Sequence, residues 1–415
     1  MSDTSRTDPV LPAPAGALLP RPPVAPSDRL VSLDAYRGLT MLAMASGGLA
    51  LHRVASSKEF RDNSFWQAIG YQFEHVDWVG CALWDLIQPS FMFMVGVAMA
   101  YSCASRRAHG QSYARMLAHA VVRSIVLICL GIFLRSDGRS QTNFTFEDVL
   151  TQIGLGYTFL FLLWGWRPWL QFAAAIAILA GYWFYFYNYP LPAADFDFAA
   201  VGVPADWPRL EGLAAHWDKN TNAAAGFDEW FLNLFPRKQP FRFNGGGYLT
   251  LSFIPSLATM IFGLLSGELL RGPRSGRQKF WLLVSAGIAG LLIGEVLQAT
   301  GLCPIVKRIW TPSWAVFSTG WTLLILAAFY GVVDLLKYRR WTFPLVVVGM
   351  NSITMYVMAE LIPPWIYRTL KTHFGQRMFE LVDKPYQPIL ASAWVLVFMW
   401  LVCYWLYRQK IFIRI

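Results

Sequence analysis

Residues 84–103 read WDLIQPSFMFMVGVAMAYSC, with a single charge, Asp85, near one end. At 1.5 Å per residue such a stretch makes a helix of about 30 Å, the thickness of a bilayer's hydrocarbon. Outward from it the pattern recurs, and the sequence predicts spans over 35–51, 84–103, 118–134, 149–166, 169–188, 248–270, 280–300, 313–336, 343–362 and 389–407. Composition agrees. Of 415 residues, 55% are hydrophobic and 14% charged, and the mean hydropathy is +0.39. Soluble domains carry about 25% charged residues, so the chain lacks the polar skin of a soluble enzyme and the character of a disordered chain or a nucleic-acid binder. The 19 Trp, 17 Tyr and 30 Phe suit aromatic belts at two membrane interfaces. The fold class read from these features is an all-α polytopic membrane protein of about ten transmembrane helices.

The net charge of +10 is unevenly placed. Alternate connections carry Arg106, Arg107 and Arg115; Arg167; Arg271, Arg274, Arg277 and Lys279; Lys337, Arg339 and Arg340; and Arg408, Lys410 and Arg414. By the positive-inside rule this face is cytoplasmic and both termini lie inside. The expected organisation is a disordered proline-rich cytoplasmic arm over 1–30, helices one to five over 31–188, a large extracytoplasmic loop over 189–247, and helices six to ten over 248–415. The arm has no unbroken apolar core and is read as no signal peptide. Cys81, Cys103, Cys129, Cys303 and Cys403 show no metal-ligand spacing and read as apolar packing residues, so no metal is expected. No strong internal repeat is visible.

Ionisable groups inside spans are costly and point to pathways or sites. Arg37, Arg123, Glu268 and Asp334 fall toward the cytoplasmic ends. Arg37 lies three positions after Asp34 and serves equally well as an anchor or, with Arg123, as a fork of donors for phosphates. His75, Asp77, Asp85, Gln152, Glu295 and Glu360 fall toward the outer ends. Among six histidines only His75 sits in a dense polar and aromatic run, Phe73 to Gly80, which leads into Trp84-Asp85. A histidine beside carboxylates can take a proton or carry an acyl group, although histidines beside acids are also common on surfaces.

Several blocks resemble the heparan-α-glucosaminide N-acetyltransferases and their bacterial relatives in the wider transmembrane acyltransferase group. Ser32-Leu33-Asp34-Ala35-Tyr36-Arg37-Gly38 is similar to the family's SLDxxRG start. Phe73 to Gly80, then Asp85 to Pro89 and Phe91 to Gly96, resembles its second-span block. Asp148 to Ile153 and Gly349-Met350-Asn351-Ser352-Ile353 with Glu360 resemble two later ones, and Trp310 with Ser313 fits a weaker block. The likeness runs from about Ser32 to Glu360. It departs from the family at Ala45-Ser46-Gly47-Gly48, where an asparagine is often found, and across 189–247, where no match is visible.

The resemblance implies acetyl transfer from cytoplasmic acetyl-CoA, as acyl-donor substrate, to the amine of an amino sugar or glycan on the other side of the membrane. His75 matches the family's catalytic histidine and is expected to act as base or acetyl carrier. Asp85 is the expected partner that orients it, with Asp77 as runner-up. Asn351 is the expected oxyanion donor, unless it only joins spans. Arg37 and Arg123 are the expected contacts to the cofactor's phosphates. The short arm looks like that of a bacterial plasma-membrane member. The lipid bilayer is the expected environment, no nucleic acid is expected, and a homodimer is compatible with the sequence. Two rival readings stay open: a secondary transporter of a sugar or acyl-linked solute, using Asp85, Glu295 and Glu360 as a proton relay, and an O-acetyltransferase of a surface glycan.

Overall fold

A computed structural model describes residues 30–413. The arm expected over 1–30 lies outside them save for Leu30, as do Arg414 and Ile415. All regular elements among the described residues are helical, apart from one isolated antiparallel bridge between Val79 and Val306. The chain opens on α1 (Val31–Ala45), then the short α2 (Leu51–Ala55) and α3 (Ser64–Gln72). There follow α4 (Ile87–Ala108), α5 (Tyr113–Arg135), α6 (Val149–Leu163) and α7 (Pro168–Tyr187). A long irregular segment holding α8 (Ala223–Phe231) leads to α9 (Phe253–Arg271), α10 (Gly276–Ala299) and α11 (Pro312–Phe329). The chain closes with α12 (Phe343–Met350), α13 (Ser352–Leu361), α14 (Pro363–Phe374) and α15 (Gln387–Arg408).

A helix or a helix pair stands within each of the ten expected stretches, and the long apolar ones are those of a polytopic membrane protein. Among the described residues seven helices are long and apolar enough to cross a bilayer: α4, α5, α7, α9, α10, α11 and α15, with their flanking turns. Two of the expected spans are shorter than the sequence suggested. Helices α1 and α6 have 15 residues each, about 22 Å of helix. The first ends early because Gly47, Gly48, Leu49 and Ala50 all take φ between 53° and 60°, a left-handed turn that no right-handed helix can run through. The expected continuous span 343–362 is also corrected. At Asn351 the backbone leaves helical geometry, and α12 and α13 meet at 70°; an asparagine amide competes with helical bonding and favours such a break.

Close crossings organise the bundle. A Cβ on Gly96 of α4 would lie 1.9 Å from the Met260 carbonyl oxygen of α9, and one on Gly263 of α9 2.0 Å from that of Phe93. The two backbones therefore touch, as small residues allow between membrane helices. Gly38 of α1 and Gly349 of α12 do the same against Leu345 and Asp34. The main core holds Met92, Phe93, Met260, Ile261, Leu264 and Trp314, all buried. A second cluster of Trp78, Tyr182, Phe186, Trp217, Leu249 and Ile309 seats the segment after α7 on the bundle. There Trp78 Nε1 donates to the Trp217 carbonyl at 3.0 Å and the Tyr182 hydroxyl to that of Ile309 at 3.0 Å. This clamp fixes the loops described next.

Candidate active site

The run from Phe73 to Leu86 leaves α3 and enters α4 as a closed loop. Gln72 Oε1 accepts from the Leu83 backbone N–H at 2.9 Å, which joins its two ends. Val79 bridges to Val306, and Gly80 N donates to the Ile305 carbonyl at 2.9 Å, so the loop lies along residues 304–310. Asp85 is buried at the base. Its Oδ2 accepts from the backbone of Ala82 at 3.1 Å and Val76 at 3.3 Å, while its Oδ1 lies 2.7 Å from His75 Nδ1 and 3.2 Å from Lys307 Nζ. Lys307 Nζ is in turn 2.9 Å from His75 Nδ1. Arg308 holds the neighbouring strands of chain together, donating to the carbonyls of Gly246 at 2.6 Å and Val76 at 3.3 Å.

The triangle of His75, Asp85 and Lys307 decides protonation. Burial lowers the His75 pKa, and the charges of Lys307 and Arg308 lower it further against the opposing pull of Asp85. Burial also brings Lys307 down to about 8, with Asp85 holding it up. The imidazole is thus neutral near pH 7. In a neutral ring one nitrogen donates and the other accepts. With Nδ1–H given to Asp85 at the shorter distance, Nε2 carries the lone pair and can take a proton or an acyl group. Trp84 flanks the ring at 6.4 Å between centroids. Beside Lys307 pack Gln88, Glu147, Tyr248, Ser252 and Trp310, with no room between them for a water molecule. Burial pushes the Glu147 carboxyl above its usual range.

No protein-family model matches the chain. It is 25% identical to the human protein named heparan-alpha-glucosaminide N-acetyltransferase, across 100% of this chain and 64% of that protein. The mouse protein of the same name is 24% identical across 94% of this chain and 61% of its own length. The chain is similar to heparan-alpha-glucosaminide N-acetyltransferases over nearly all of its length. It spans under two thirds of the length of these curated relatives.

His75 and Asp85 come together, while Arg37, Arg123 and Asn351 lie elsewhere. Asp77, Glu295 and Glu360 are all exposed; Glu295 shares the surroundings of Cys81 with Asp85 and Lys307, and Glu360 those of Arg135 and Tyr356. Gln152 is buried and donates to the carbonyls of Phe146 at 2.7 Å and Thr250 at 3.0 Å. Asn351 sits where α12 meets the Asp34 end of α1, and its Oδ1 accepts from the Ile413 backbone at 3.2 Å. Its amide nitrogen is buried with no hydrogen-bond partner. The His75 loop meets the opposite end of that helix, where Gly48 abuts Phe73 and Trp84. Asn351 and His75 thus lie at opposite ends of α1.

Arg37 pairs with Asp34 at 3.8 Å. Arg123 stacks over the Tyr157 ring at 4.7 Å and shares the surroundings of Cys103 with Arg106 and Arg271. Lys307 and Arg308 went unnoticed in the sequence. A signal was there: 301–311 holds two cations and no acid, on a connection assigned to the outside, against the positive-inside rule. The amide missing from 45–48 has no side-chain substitute at that place; the left-handed turn brings Gly48 against the rings instead.

Proposed function

We propose that this protein is a transmembrane acetyltransferase that passes an acetyl group from acetyl-CoA, bound at its arginine-rich cytoplasmic end, to the amine of a sugar at the His75 end. The observation that carries the reading is the neutral His75, whose Nδ1–H is given to Asp85 so that Nε2 keeps the lone pair, with the Lys307 ammonium beside the ring, in a chain similar to proteins named as N-acetyltransferases. His75 Nε2 takes a proton from the attacking nitrogen as the N–C bond to the acetyl carbonyl forms. The C–S bond then breaks and the CoA thiolate recovers that proton from His75. An order in which the acetyl group first rests on Nε2 uses the same atoms and gives ping-pong kinetics.

Phosphates of acetyl-CoA fit the Arg106, Arg123 and Arg271 group, since guanidinium forks match them. From Ile87 to Cys103, α4 rises about 24 Å, so the donor must extend most of the way across the hydrocarbon to bring its thioester to His75. The topology that goes with this has ten crossings, two of them short and one broken at Asn351, with both termini in the cytoplasm of a bacterial cell and 189–247 outside. The test is transfer of radiolabelled acetyl from acetyl-CoA to glucosamine by purified protein. His75→Ala should abolish transfer while folding normally; transfer at the unaltered rate would overturn the assignment.

A further inference from the structure

The protein keeps an amine of its own where the acetyl group is to be delivered. Lys307 Nζ lies 3.5 Å from His75 Nε2, the nitrogen left for chemistry, and 2.9 Å from Nδ1. A C–N bond at Nε2 adds about 1.5 Å, so the carbonyl carbon of an acetyl group on that atom stands no more than about 5 Å from Nζ. Rotation about the terminal bonds of the flexible lysine stem closes this to the separation of about 3–3.5 Å from which an amine attacks. The Lys307 side chain is only 7% exposed, which keeps reagents in bulk solvent away from it but not a group held at His75. Burial strips the ammonium of water and brings its pKa to about 8, against the pull of Asp85 at 3.2 Å. A desolvated lysine that is partly free amine near neutral pH is an activated nucleophile. Lys219 is buried to the same degree, and burial lowers its pKa too, but its Nζ sits over the Trp207 ring at 4.3 Å. The two lysines thus differ in what they face.

We propose that Lys307 is a self-acetylation site, which takes the acetyl group from acetyl-CoA when no acceptor is bound. The identity of the donor rests on the acetyltransferase reading above. The lone pair of the free Nζ amine attacks the acetyl carbonyl, the N–C bond forms, and the C–S bond breaks with its electron pair going to sulfur. The proton that the new amide nitrogen sheds passes to His75 Nε2 and from there to the CoA thiolate. Acetyl first carried on Nε2 reaches the same product by breaking the C–Nε2 bond. An acyl imidazole hands its group on, whereas the amide at Lys307 holds it. Acetylation also removes the cation from beside His75 and takes the ion-pair partner from Asp85. The modified protein is therefore impaired, and donor supplied without acceptor switches the site off.

The experiment incubates the full chain in neutral detergent with labelled acetyl-CoA, with and without glucosamine. Hydroxylamine then strips acyl imidazoles and esters and leaves amides, and peptide mass spectrometry locates the acetyl that remains. It should sit on Lys307, form roughly tenfold or more faster at pH 8.5 than at pH 6.5 as the amine loses its proton, and be suppressed by saturating glucosamine. Preincubation with acetyl-CoA alone should also erode the later rate of transfer to glucosamine. Lys307→Arg should carry no stable acetyl at that position, and whatever transfer it retains should not decay on preincubation. Transfer to glucosamine with no stable acetyl on Lys307 overturns the site and leaves the acetyltransferase reading standing. Stable acetyl on Lys307 with no transfer to glucosamine keeps the site and sinks the sugar acceptor. Acetyl spread equally over Lys307, the buried Lys219 and the exposed Lys384 is plain chemical acetylation and overturns the proposal.

Discussion

Replacing Lys307 by methionine should move the acidic limb of the pH–rate profile to higher pH. The ammonium lies 2.9 Å from Nδ1 and 3.5 Å from Nε2 of His75, so it opposes any proton the ring takes up. Two unit charges about 4 Å apart repel by about 4 kcal/mol at an effective dielectric of 20. His75 keeps 38% of its side chain in solvent, and screening brings this to about 1.5–3 kcal/mol. At 1.36 kcal/mol per pH unit the shift is about one to two units. The sign follows from the base role. Activity rises as His75 loses its proton, the folded pKa is lowered below the ordinary 6.5, and removing a neighbouring cation raises it again. The unaltered protein should thus keep kcat/KM constant down to a pH below 6.5, while Lys307→Met loses activity earlier on acidification. Lys307→Arg, which keeps the charge, should restore the original limb. The assay is kcat/KM for acetyl transfer to glucosamine across pH 5 to 8. A limb that stays in place or moves to lower pH in Lys307→Met would refute the triangle as the control of His75.

At the other end, Arg123→Ala should weaken acetyl-CoA binding about tenfold, the worth of one charge-assisted hydrogen bond, and Arg37→Ala should weaken it less, because Arg37 is held by Asp34. Isothermal titration decides this, and a larger loss from Arg37→Ala would reverse the assignment. For the topology, a cysteine introduced at Leu336 should react with a membrane-impermeant thiol reagent only after the cytoplasmic face is opened; labelling of intact cells would invert the orientation.

The spans were legible because twenty apolar residues in a row have few alternatives to a bilayer. Their interruptions were less so. The break at Asn351 goes with a hydrogen bond that its side chain accepts from Ile413, 62 positions away, and the early end of α1 with four successive left-handed residues, two of them not glycine. His75 and Asp85 could be paired on paper because ten positions separate them. Lys307 could not, being 232 positions from His75 and brought there by a two-residue bridge between loops without periodicity. Asn351 was misplaced for a related reason: a mid-span amide has no depth in sequence until the helix carrying it is known to be broken.

The shortness of α1 sets where the His75 loop rests. A helix of 15 residues reaches about 22 Å, roughly 8 Å less than the hydrocarbon around the bundle. Its neighbours α4 and α5 have 22 and 23 residues. Where α1 stops, the left-handed turn presents Gly48 to the rings of Phe73 and Trp84, and a Cβ there would lie 2.6 Å from Phe73. The loop that carries His75 is thus seated on bare backbone, and the end of one helix fixes the height at which the imidazole is held.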